Sequence, residues 1–141
     1  MTNDNPAFMV SIYLRGDNLD PKHVSARLGV NPTDSQRKGD KIITFKNREI
    51  IKKIGVWALT ASTESETLSD HLEELAAKIK ADGKFIESIA NVEEAFIDIY
   101  VSSTRNKETV DTSEFELSKE NIVALGNFGL PVKFTVTFVD E

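Results

Sequence analysis

The segment Leu19–Gly29, LDPKHVSARLG, constrains the chain most, because it fixes both ends of a helix. Asp20 can accept hydrogen bonds from the unpaired amides of a first helical turn, and Pro21 sits where no amide is needed. Leu19 before the cap and Val24 at the fourth helical position are spaced for a hydrophobic staple. Val24 and Leu28 make the buried stripe, and Gly29 is the left-handed stop. Asn31-Pro32-Thr33-Asp34 then reads as a turn leading into a basic loop that ends near Gly39.

Strands with one apolar face surround this helix. In FMVSIYLR, Phe8, Val10, Ile12 and Leu14 alternate with Met9, Ser11, Tyr13 and Arg15. Lys41–Phe45 and Val56–Ala61 read as further strands, with Trp57 and Leu59 sharing one face. Lys46–Ile54 between them is a basic connection, either an extension of the hairpin or a loop. The strongest helix signal is SDHLEELAAKIKADG, with Leu68, Leu72, Leu75, Ala76 and Ile79 on one face. Phe85, Ile86 and Ile89 continue a helical pattern beyond Asp82-Gly83. Ala95–Val101 is a strand, 102–113 a solvated loop, and Phe115 with Leu117 a brief edge strand. Ser118 caps a helix stopped at Gly129, and Val132, Phe134, Val136 and Phe138 alternate with Lys133, Thr135 and Thr137 in a last strand.

These elements predict a single α+β domain over 1–141, with a frayed tail at 1–6. The sheet is expected to be largely antiparallel, with helices on one face and solvent on the other. From Val56 onward the order fits a ferredoxin-like β-α-β-β-α-β unit, with residues 8–45 as an N-terminal β-α-β extension.

Charge is unevenly spread. The net charge is −6, which argues against general nucleic-acid binding. Residues 37–53 hold seven basic residues against Asp40 and Glu49, a local balance of +5, so the other 124 residues carry −11. There are no cysteines, which excludes disulfides, thiolate metal sites and cysteine nucleophiles. No signal-peptide pattern or spanning apolar run is present, and the expected location is the cytoplasm.

The spaced pattern LDP…LGVNPTDSQRKGD, followed by GVW, resembles a bacterial family known only as domain of unknown function number 4279. The residues carrying it are Leu19, Asp20, Pro21, Leu28, Gly29, Pro32, Thr33, Lys38, Gly39, Gly55 and Trp57. The resemblance implies a small α+β domain with no assigned activity and no known catalytic residues. By analogy of size and charge, small acidic bacterial proteins of this kind are often immunity proteins encoded beside toxins.

Candidate chemistry is sparse. His23 and His71 each lie in a first helical turn, away from the apolar stripe and without ligand spacing such as HExxH, and read as surface histidines. Glu73-Glu74 and Glu93-Glu94 read as solvated carboxylates, and Asp98 as part of an open polar sheet face. Arg37-Lys38-Gly39-Asp40 is a basic loop with neither GxxxxGK[ST] nor GxGxxG. The candidate binding residues are Thr33, Ser35, Arg37, Lys38, Lys41, Arg48 and Trp57, although Trp57 beside Gly55 reads first as core packing and only second as a stacking surface. The expectation is a non-enzymatic binding domain, without metal or cofactor, whose partner is a protein, a toxin in the sharpest version. A small-ligand or anion module built on residues 37–53 is the alternative.

Overall fold

Among the residues described by this computed structural model, 7–105 and 114–140, the architecture is α+β with four helices and a mostly antiparallel sheet. The alternation in FMVSIYLR becomes β1 (Ala7–Gly16), followed by α1 (Pro21–Leu28) and a short β2 (Asp34–Gln36). A hairpin of β3 (Lys41–Ile43) and β4 (Glu49–Ile51) precedes β5 (Gly55–Thr60). Then come α2 (Leu68–Lys78), α3 (Gly83–Glu87), β6 (Glu94–Arg105), α4 (Lys119–Phe128) and β7 (Val132–Asp140).

Five strands form one sheet in the order β2-β5-β1-β6-β7, and β3–β4 form a separate two-stranded sheet. β1 runs antiparallel to both β5 and β6, while β6 and β7 are parallel and joined through α4. β1 is therefore the centre of the sheet and not part of a peripheral extension. The expected ferredoxin-like unit also required a strand at Phe115–Leu117, and that stretch has none. Both differences arise from non-local pairing: β1 inserts between β5 and β6, which a reading by order alone does not reveal.

Period-two alternation places Val10, Ile12 and Leu14, Trp57 and Leu59, and Ile97, Ile99 and Val101 in one buried cluster. Leu68, Leu72, Leu75 and Ile79 of α2 and its exit pack on it, with Val24, Ile86, Leu125 and Phe128 from the other helices. The opposite face carries Ser11, Tyr13, Arg15, Asp98, Thr135 and Lys133. There Phe96 is also buried, stacked on Tyr13 at 5.4 Å and covered by Arg15 and Lys133.

Local signals act where the sequence puts them. The Asp20 side chain accepts from the Lys22 amide at 3.1 Å, and Gly29 takes φ +70° at the end of α1. Ser118 and Asn121 form a reciprocal capping box, and Gly129 at φ +67° closes α4. His71 departs from expectation. It is buried beside Leu68, Leu72 and Leu75, and its Nε2 lies 2.9 Å from the Ser65 carbonyl. Ser102–Arg105, read as loop, extends β6. The tail at 1–6 and the remainder of that loop, 106–113, lie outside the described residues.

Candidate functional site

The basic segment becomes a distinct element. Lys41 pairs with Ile51, Ile42 with Ile50 and Ile43 with Glu49. The turn between them is closed by the Thr44 amide donating to the Arg48 carbonyl at 2.9 Å, with Asn47 at φ +59°. The base is tied by the Gly39 amide to the Lys52 carbonyl and the Lys52 amide to the Asp40 carbonyl, each 2.8 Å. Each strand has only three residues, and two strands alone make a marginal sheet in water.

Apolar side chains on a core-facing strand should point one way. Here Ile42 and Ile50 occupy one face while Ile43 and Ile51 occupy the other, and both faces are exposed. Ile43 is 73% exposed and Phe45, in the turn, 93%. Lys38, Lys46, Arg48, Lys52 and Lys53 make no ion pair with another described residue. The arm thus combines positive charge with exposed aliphatic and aromatic surface.

The seven sequence-derived site residues do not converge on one site, and only Ser35 and Lys41 share a groove. Thr33 braces β5: its amide donates to the Ala58 carbonyl at 2.8 Å, and its Oγ1 accepts from the Thr60 amide at 2.9 Å. Arg37 clasps Asp20 at 2.6 Å, and Lys41 meets Glu49 at 3.3 Å. Lys38 and Arg48 are exposed, at the base and the tip of the hairpin. Ser35 and Lys41 line a groove of about 380 Å³ between β2 and the hairpin, but Asp34 and Asp40 line it too, which weakens it as an anion site. Trp57 is fully buried, and its indole N–H donates to Ser25 Oγ at 3.0 Å, so it is a core residue and not a stacking platform.

The features missed by sequence reasoning are the apolar side chains of the hairpin. The available signal was the pair of Ile-Ile doublets, Ile42-Ile43 and Ile50-Ile51, since a doublet cannot place both side chains on one face of a strand. Asp98 accepts from Thr135 Oγ1 at 3.0 Å on the open sheet face, as its polar position on the strand implies. Beside it, Lys133 donates to Glu94 at 2.6 Å, and this bond holds the Glu94 carboxyl below its ordinary range. No cluster of three or more potential metal-ligating side chains occurs among the described residues. No helix among them is long and apolar enough to cross a membrane.

Comparison with known proteins gives one result. No curated protein and no solved structure matches the chain significantly. The profile of the family described as Domain of unknown function (DUF4279) matches residues 6–138, nearly the whole sequence, and the chain belongs to that family.

Proposed function

We propose that this domain is a non-enzymatic protein-binding module whose contact element is the β3–β4 hairpin. The observation that carries the reading is the exposure of Ile42, Ile43, Phe45, Ile50 and Ile51 on an arm outside the main sheet. Apolar side chains clustered on a surface favour burial against another surface. The +5 charge of residues 37–53 directs the arm to an acidic patch. The exposed apolar surface is mostly aliphatic, four isoleucines against the single ring of Phe45, whereas a single-stranded nucleic acid is held by a series of stacking aromatics; this favours a protein partner. A toxin bearing such a patch is the sharpest version, and the bacterial cytoplasm is the proposed setting, consistent with a cysteine-free chain.

A photo-crosslinking amino acid at position 45 tests this in the native host. The expected product is one protein, retained after nuclease treatment, whose crosslinked peptide is rich in Asp and Glu. It should be lost at high salt and in the Ile43→Ser variant. A nuclease-sensitive product, or crosslinks scattered over many proteins, contradicts the reading.

A further inference from the structure

A second interaction surface lies at the far edge of the sheet. β7 is nine residues long and pairs only with β6, so one side of its backbone is unpaired among the described residues. Its hydrogen-bond phase can be read from one bond. The Ile97 amide donates to the Pro131 carbonyl at 2.8 Å, and Ile97 is in register with Val132. Odd-numbered residues of β7 therefore point their amides and carbonyls at β6, while Val132, Phe134, Val136 and Phe138 point theirs outward.

The sequence of that edge is symmetric about Val136: Phe134-Thr135-Val136-Thr137-Phe138 reads the same in both directions. We infer that β7 pairs antiparallel with β7 of a second copy of this chain, across a two-fold axis at Val136. In that register Val136 faces its own copy, Phe134 faces Phe138 and Thr135 faces Thr137. The outward-pointing residues fall opposite one another, so Val136 and the two Phe134–Phe138 pairs each exchange both backbone hydrogen bonds. The aromatic pairs lie on the helix side of the sheet and the threonine pairs on the open side, both favourable cross-strand combinations. A two-fold contact of this kind is isologous and satisfies itself.

Two further observations fit a second copy. Phe134, Val136 and Phe138 are 44–45% exposed although they are in register with the buried Ile99 and Val101 and with Ser103. Their exposed parts, with Phe115, offer roughly 300 Å² of apolar surface per copy. Together with the backbone edge, this approaches the lower limit of a specific interface, about 1,200 Å² in total. The expected dimer is therefore concentration-dependent rather than obligate. Lys133, the residue that would guard such an edge, is instead bonded to Glu94 and lies 4.0 Å from the Phe96 ring. Growth beyond two copies is disfavoured because the opposite edge, β2, has only three residues.

Cysteine crosslinking reads the register directly, because the chain has no cysteine of its own. A hydrogen-bonded antiparallel pair brings its Cα atoms to about 5.5 Å, within disulfide range. Val136→Cys should form a covalent dimer on mild oxidation. Thr135→Cys alone should not, and should do so when mixed with Thr137→Cys. Sedimentation of the unmodified chain from about 10 μM to about 1 mM should show a monomer–dimer equilibrium. Val136→Pro costs no bond to β6 and should abolish dimerisation. Val136→Lys serves the same purpose if proline unfolds the chain. A monomer throughout that range overturns the inference. So does equal crosslinking by Thr135→Cys alone, or a dimer crosslinked through Ile43→Cys and not Val136→Cys, which would place self-association on the hairpin instead.

Discussion

The Trp57 indole N–H and the Ser25 hydroxyl meet at 3.0 Å, joining β5 to α1 through the chain's one tryptophan. Trp57 has no exposure, so this donor has no access to water. Ser25→Ala leaves it unsatisfied and should cost about 1–3 kcal/mol. Trp57→Ala should cost more, about 3–5 kcal/mol, because it also opens a cavity. Urea unfolding of both variants checks the order.

Two glycines separate a backbone requirement from a space requirement. A Cβ on Gly83 would lie 2.1 Å from the Gly129 carbonyl oxygen, so Gly83→Ala must push α3 away from the end of α4. A Cβ on Gly29 would meet nothing within 4 Å, and only its φ of +70° resists a side chain. Gly29→Ala should cost about 1 kcal/mol, largely recovered by Gly29→Asn, which tolerates the left-handed region. Gly83→Ala should cost about 1–3 kcal/mol, with no recovery by asparagine. Thermal melts of the four variants distinguish the two causes.

Acid should destabilise the fold through the start of α2 and the strand exit before it. Partial burial pushes the Glu74 carboxyl up. Hydrogen bonds from the Ser62 amide, the Lys78 ammonium and the Ser62 hydroxyl outweigh that and leave it below the ordinary glutamate range. Asp70 is also lowered, chiefly by the Ser65 hydroxyl and then that of Thr67. A carboxyl lowered in the folded state binds its proton more readily when unfolded. Its stabilisation is present above the ordinary carboxylate range and fades as pH falls through the lowered folded value. The melting temperature should therefore drop as pH falls below about 4.5. Glu74→Gln should be less stable at neutral pH and show a shallower acid dependence.

The groove between β2 and the hairpin should not act as a phosphate site. Asp34 and Asp40 share it with Lys41 and Lys52, and Arg37 is already engaged by Asp20. Nucleotides and phosphorylated metabolites should produce no melting shift beyond that of sodium chloride at matched ionic strength. The Arg37–Asp20 pair is itself exposed, so Arg37→Ala should change stability by less than about 1 kcal/mol.

Much of the fold was legible because its signals are local. Asp20 and Gly29, and Ser118 and Gly129, bound their helices from single residues. Alternation assigned the inward faces of β1, β5, β6 and β7. What depended on distant pairing was not legible: the central place of β1, and the short polar β2, which exists through its pairing to β5. His71 was misread because its polarity hid a position three residues after Leu68 and four before Leu75, on the buried face. The site was legible as a region of charge but not as a surface. Arg37, Lys41, Thr33 and Trp57 proved to have structural partners, and the exposed isoleucines looked like ordinary strand residues.

Under the proposed function the hairpin is an interaction arm and not part of the folded core. Replacing residues 41–51 with a short Gly-Ser linker separates binding from folding. The Ile42, Ile43, Phe45, Ile50 and Ile51 side chains are all exposed, and none belongs to the core cluster. The expected result is a cooperative melt within a few degrees of the unmodified chain and complete loss of the protein captured by the intact domain. An unfolded or molten product, or undiminished capture, would contradict it.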